Sequence, residues 1–140
     1  MADFDRAALI QAALDYQSHS YAPYSHFNVS AAVLMDNGRI YRGVNIENAA
    51  YSATICAERN AIFQAIAEDK TARLVAIAIV GGPNYTVTEY CAPCGVCRQV
   101  MREFCKPQEM TVLIAKSAED YIEKTLEELL PLSFGPETLK

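Results

Sequence analysis

The sequence has no tryptophan, only two histidines, and only six glycines and six prolines in 140 residues. So few chain breakers exclude collagen-like, linker-rich and low-complexity chains, and a content of 51% hydrophobic and 21% charged residues is enough for a packed core. Positive charge is scarce too: 12 Lys and Arg against 17 Asp and Glu leave a net charge of -5. That sign is wrong for gripping a phosphate backbone, which takes clustered cations, so a nucleic-acid polymer is not expected as a partner. No apolar run approaches the roughly 20 residues of a membrane span, and Met1 to Arg6 carries two Asp where a leader would carry a basic region. These absences predict a cytoplasmic protein that meets neither membrane nor polynucleotide. With no repeat and no linker-like segment, residues 1–140 are expected to form one domain.

Periodicity supplies the elements. Apolar residues at Ala8, Leu9, Ala12, Ala13 and Tyr16 predict a helix over Asp5–Gln17. The Asp36-Asn37-Gly38 turn between Phe27–Met35 and Arg39–Val44 predicts a hairpin. A second helix is expected over Cys56–Glu68, and a buried strand over Leu74–Val80, ended by Gly81-Gly82-Pro83. Beyond it a third helix over Gly95–Phe104, a strand over Met110–Ala115 and an acidic amphipathic helix over Ala118–Leu130, stopped by Pro131, complete the chain. The fold class expected is α/β, a three-layer α-β-α sandwich around a mixed sheet of about five strands.

Cysteine is what the sequence does have. Five is an odd number, and Cys91, Cys94, Cys97 and Cys105 crowd one short stretch while Cys56 stands apart, a pattern that suits metal or redox chemistry better than a disulfide framework. Cys56-Ala57-Glu58 opens one predicted helix and Pro93-Cys94-Gly95-Val96-Cys97 opens another. Thiolates are strong zinc ligands, two of them three positions apart reach one metal, and helix N-termini favour the thiolate form. Three protein ligands leave one tetrahedral position for water, whose pKa zinc lowers towards about 7. Glu58, two residues past Cys56, can stand beside the metal and move protons, and Arg59 can donate hydrogen bonds to the ligand sulfurs. The chemistry implied is hydrolytic attack on a polarised C=N carbon.

The CxE and PCxxC segments resemble the zinc deaminase signature. Together with Phe27–Ala32, Gly43–Tyr51, Cys56–Ala61, Cys97–Val100 and Leu130–Pro136 they resemble the small, homotetrameric cytidine deaminases over nearly the whole chain. The resemblance implies one zinc per subunit on Cys56, Cys94 and Cys97, with Glu58 passing protons to ring N3 and to the departing amine. It implies that Asn45 and Glu47 hold the ribose hydroxyls and that Phe27 lines the pyrimidine pocket. The same substrate segment brings Ile46, Asn48, Ala49, Ala50 and Tyr51, with Ala57 beside the ligand cysteine. Tyr51 and Phe134 are expected to reach a neighbouring subunit's site. Cytidine and 2'-deoxycytidine, met in pyrimidine salvage, are the substrates implied.

Two positions depart from that pattern. Cys91-Ala92 adds a thiol ahead of PCxxC, which as a fourth ligand would close the site, and Asn28 stands where proline is common. Plainer readings exist for each feature: a CxxC is often a redox pair, Glu58 and Arg59 suit a solvated helix face, and Asn45 and Glu47 suit a turn and a helix cap. Cys105, His19 and His26 are expected to be ordinary local residues. The rival functions are a deaminase of another cytosine nucleoside, of the blasticidin S kind, and a non-catalytic module built on structural zinc.

Overall fold

A computed structural model describes residues 3–139, so Met1, Ala2 and Lys140 of the expected domain lie outside the described residues. Asp5 caps α1 (Arg6–Tyr16), its side chain accepting from the Ala8 amide at 3.0 Å. The hairpin forms as β1 (Phe27–Met35) and β2 (Ile40–Val44), and α2 (Ala57–Glu68) follows with Cys56 at its N-cap. Next come β3 (Leu74–Pro83), α3 (Gly95–Glu103) with Cys94 at its N-cap, and β4 (Thr111–Ser117). The Gly81-Gly82-Pro83 run therefore continues β3 in pairing with Phe27–Val29 instead of ending it.

The acidic helix expected over Ala118–Leu130 does not form. Residues Asp120–Thr125 are strand β5, and only Leu126–Leu129 form a short helix, α4. The Ser117 Oγ accepts from the Glu119 and Asp120 amides, which turns the chain, and β5 then pairs antiparallel with β4 from Ser117↔Asp120 to Thr111↔Thr125. A sheet edge that needs a partner overrides the helix propensity of Glu and Lys. Thr125 and Glu128 form a reciprocal capping box, and it is there that the helix starts.

The sheet has five strands in the order β2-β1-β3-β4-β5, with β3 and β4 parallel and the other pairs antiparallel. Its faces follow the two-residue alternation of the strands. Ala32, Ala76, Ala78, Val80, Leu113 and Ala115 face α1, where the small side chains let Leu9, Ile10 and Ala13 sit close. Val33, Ile77, Ile79, Val112 and Ile114 face α2 and α3, meeting Ala61, Ile62, Ala65 and Met101. The expected three-layer mixed sandwich is the observed architecture.

This topology fixes where chemistry can occur. Helix α2 leads into β3, and α3 returns from β3 to the parallel strand β4, so both helices begin at the carboxyl end of β3. That is the usual ligand-binding end in α/β proteins. Gly43 on β2 lets α2 lie against the sheet, because a Cβ there would stand 2.4 Å from the Ala61 backbone nitrogen.

Candidate metal centre and its surroundings

The two caps bring three thiols together. The Sγ atoms of Cys56, Cys94 and Cys97 all lie within 4.8 Å of one another, and they are the one such group of metal-capable side chains among the described residues. Cys56 and Cys94 stand 3.8 Å apart. A tetrahedral zinc with Zn–S bonds of about 2.3 Å sets its sulfurs about 3.8 Å apart, so the donor set fits that ion. The Cys97 amide donates to the Cys94 sulfur at 3.4 Å, and Arg59 Nη2 donates to Cys56 at 3.4 Å. The buried Arg59 Nε has no partner among the described residues.

Sharing of a proton with Cys97, helped by Arg59, holds the Cys56 thiol down to about 5, and Cys97, which supplies that proton, is pushed up. Glu58 is only 4% exposed, and that burial raises its carboxyl to about 7. A carboxyl poised near neutral pH beside a thiolate cluster can both take and return protons. Cys91 lies outside the cluster, and burial pushes its thiol up to about 11, so it remains a neutral neighbour and, among the described residues, no fourth ligand closes the group.

A cavity of about 180 Å³ opens beside the thiols, walled by Val29, Asn45, Thr54, Glu58, Cys91 and Cys94. Ile55, Cys56, Ala57 and Ala92 complete its lining. Of the residues expected at the site, Asn45, Cys56, Ala57, Glu58 and Cys94 meet here. Glu47, Asn48 and Tyr51 line a neighbouring hollow of about 400 Å³, and Thr54 borders both. Glu47 is pinned in place. Its Oε1 accepts from the Tyr24 and Ser25 amides at 3.0 and 3.1 Å, its Oε2 accepts from Ser25 Oγ, and the Ser25 bonds hold its carboxyl below the usual range.

Other expected site residues do not converge on the cavity in this subunit. Phe27 is 40% exposed at the start of β1, and Ile46 bridges Tyr21 and Ile55 through its backbone. Ala49 and Ala50 are exposed, and Tyr51 is 77% exposed with Tyr24 against its ring. Phe134 is 54% exposed, its carbonyl accepting from Gln99 Nε2 at 3.0 Å. Val29, Thr54 and Ile55 belong to the lining without any sequence signal that marks them. His19 stacks on Tyr16 and His26 is exposed, neither of them within the thiol cluster, and Cys105 is half-buried. A larger cavity, about 510 Å³, lies instead against Arg73, Arg102 and Lys106 and holds none of the expected residues. Reactive groups, not size, therefore choose the smaller one.

A mixed α/β sandwich whose two helix starts hold three free thiols and a buried carboxyl defines a class, that of proteins built around a thiolate metal centre with proton-transfer capacity. Residues 5–114 match the family model described as the cytidine and deoxycytidylate deaminase zinc-binding region, and the chain belongs to that family. It is 44% identical over 135 residues to a cytidine deaminase of Halalkalibacterium halodurans, covering 96% of this chain and 98% of the relative. It is 42% identical to one of Sporosarcina psychrophila, covering 96% and 95%. The crystal structure of cytidine deaminase from Burkholderia pseudomallei superposes with a TM-score of 0.79 at 41% identity, over 91% of this chain and 97% of that one.

Proposed function

We propose that the chain is a zinc-dependent cytidine deaminase, which hydrolyses cytidine and 2'-deoxycytidine to uridine and 2'-deoxyuridine and releases ammonia in pyrimidine salvage. The observation that carries this is the cluster of three thiols at two helix starts beside buried Glu58. Cys56, Cys94 and Cys97 hold the zinc as thiolates, helped by the helix dipoles and by Arg59, which offsets their negative charge. Zinc, when bound, supplies a water acidic enough to lose its proton near neutral pH.

Glu58 would accept one proton of the water and pass it to ring N3 as the hydroxyl adds to C4, then take the second proton from that C4 hydroxyl and give it to the amine, so that the C4–N bond breaks and ammonia leaves. Its burial raises the carboxyl's proton affinity above that of an ordinary glutamate, which favours holding a proton between the two transfers. Asn45 and Glu47 hold the ribose, one donating and the other accepting. Phe27, with the segment from Ile46 through Asn48, Ala49 and Ala50, borders the nucleoside, and Ala57 backs the ring.

The chain acts as one catalytic domain and assembles as a homotetramer in which Tyr51 and Phe134 complete a neighbour's site. Three exposed apolar side chains, Tyr51, Leu132 and Phe134, support that assembly because more than half of each is left uncovered by the described residues of its own subunit. The five free thiols suit the reducing cytoplasm, and among the described residues no helix is long and apolar enough to cross a membrane. Loss of cytidine ultraviolet absorbance on adding zinc-loaded protein, with Glu58→Ala alongside, tests the assignment. Turnover by the wild type and a loss of at least about 100-fold in the variant is expected. Full activity in the variant, or none in a zinc-replete wild type, overturns it.

A further inference from the structure

Asn28 is 2% exposed and Ser20 is 4% exposed, so both are polar side chains sealed in the protein. The Tyr85 amide, which can only donate, meets Asn28 Oδ1 at 2.9 Å. That contact fixes the Asn28 amide, whose Nδ2 must then face Ser20 Oγ, at 3.1 Å. Ser20 Oγ accepts from Asn28 and keeps its own proton for Asn45 Oδ1, which lies in hydrogen-bond contact. Two contacts from β1 favour the same orientation of Asn45. The Val29 amide donates to its Oδ1 at 3.0 Å, and its Nδ2 donates to the Phe27 carbonyl at 2.8 Å.

Asn45 Oδ1 has both lone pairs occupied, by Val29 and Ser20, and Nδ2 has one N–H engaged and one left. Asn45 can therefore offer a ligand one donor and no acceptor. We propose that Asn28 and Ser20 are positioning residues, forming a one-way hydrogen-bond relay from the Tyr85 turn to Asn45 that presents this single N–H to a ribose hydroxyl. The proposal rests on the assignment of Asn45 to the ribose. Neither positioning residue touches the cavity beside the thiols, since Asn45 is the one member of the relay that lines it. The relay also ties that turn to β1, and Tyr85 holds a left-handed φ of 61° there while its hydroxyl donates to the Ser20 carbonyl at 3.1 Å. A tyrosine in that conformation is strained and persists only where surrounding bonds hold it.

Asn28→Asp is the informative change, being the same shape with the donor removed. The new carboxylate keeps the Tyr85 amide but draws the Ser20 proton to itself, so that Ser20 confronts Asn45 Oδ1 with a lone pair. The relay then opposes the orientation it formerly enforced. The assay compares kcat/KM for cytidine with kcat/KM for 2',3'-dideoxycytidine, which lacks the 2' and 3' hydroxyls and keeps the 5' hydroxyl.

Asn28→Asp is expected to lower the cytidine value about tenfold, the worth of one hydrogen bond, through KM more than kcat. The dideoxy value should stay at the wild-type level. Ser20→Ala, a smaller and better tolerated change, should lower only the cytidine value, and adding Asn28→Asp to it should cost nothing further. Equal losses on both substrates, or additive losses in the double variant, overturn the relay. Asn45→Ala separates the two layers. If it leaves the cytidine to dideoxycytidine ratio unchanged, the ribose assignment itself falls. If it collapses the ratio while Asn28→Asp and Ser20→Ala do not, only the relay falls.

Discussion

Gly43→Ala should damage the metal centre without touching it. An added Cβ would lie 2.4 Å from the Ala61 nitrogen, 2.6 Å from the Ala57 carbonyl oxygen and 2.8 Å from Asn60 Oδ1, against an ordinary contact of at least 3.4 Å. Two of these three are backbone atoms of α2, so no side-chain rotation relieves the clash, and the first turn of the helix must retreat by about 1 Å. That turn carries Glu58 and follows directly on Cys56, while Cys94 and Cys97 sit on α3 and stay behind.

Overpacking of this kind costs about 1–3 kcal/mol, which for a chain of this size lowers Tm by about 3–12 °C. A displacement near 1 Å at reacting groups can cost about 100-fold in rate, so kcat/KM should fall by about that factor and chelators should strip zinc faster. The assays are thermal unfolding, cytidine turnover by ultraviolet absorbance, and zinc release to a chromogenic chelator. Gly95→Ala serves as the control for stability, because a Cβ there meets nothing within 4 Å. A Gly43→Ala protein with the Tm, rate and zinc release of the wild type would refute the argument that this one close approach sets the position of α2.

Three further outcomes follow from other contacts. Because burial raises Glu58 from an ordinary carboxyl pKa of about 4.3 to about 7, the native metal-free protein holds a proton that the unfolded chain has released. Its contribution to stability therefore falls as pH rises through that window, and Tm of metal-free Glu58→Gln should gain on the wild type between pH 5 and 7; a constant difference would show that burial does not shift the group. Arg102 on α3 holds the C-terminal tail, its Nε donating to Ser133 Oγ at 2.8 Å and its Nη atoms pairing with Glu137, so Arg102→Ala should release the tail from its own subunit and speed chymotryptic cleavage at Leu132 and Phe134, and an unchanged cleavage rate would mean that the tail is anchored elsewhere. Phe134→Ala should raise KM about two- to tenfold, the worth of an aromatic contact, whereas an unchanged KM would remove it from the site.

Most of the sandwich was legible because its strands are apolar where the sheet is covered on both faces. Phe27–Met35 emerged with its observed bounds, and α2 and α3 start within a residue of where the CxE and PCxxC segments put them. Residues 118–130 misled because Glu, Lys and Leu favour a helix, while β5 is joined to its partner β4 by a tight turn over Ser117–Asp120 that holds no glycine, proline or asparagine to mark it. A legible cue was available: Thr125 followed three residues later by Glu128 is a capping box, and it marks a helix that starts at 126, not 118. In the site, the three thiols and Glu58 were legible from spacing. Val29, Thr54 and Ile55 were not, because they line the cavity only through the apposition of β1 with the segment before α2.

The geometry divides the site into two halves with different supports, and this division makes the assignments separable. The thiols and Glu58 are held by α2 and α3, whose positions depend on Gly43 and on packing against β1, β3 and β4. Asn45 and Glu47 belong to loops, and they are held by polar bonds from Ser20, Val29, Tyr24 and Ser25. Disturbing a helix moves the groups to which the proposal gives the metal and the proton transfers, so it should act on kcat and on zinc retention. Disturbing the loop bonds leaves those groups in place and alters only the residues proposed to hold the nucleoside, so it should act on KM. Asn45 is where the halves touch, because it lines the thiol cavity while its amide is oriented entirely by the loop and by β1. Removing its side chain should thus raise KM and also release Val29 and Phe27 at the start of β1, lowering Tm together with affinity. Asn28→Asp, which keeps every backbone partner of Asn45, should act through KM more than through kcat.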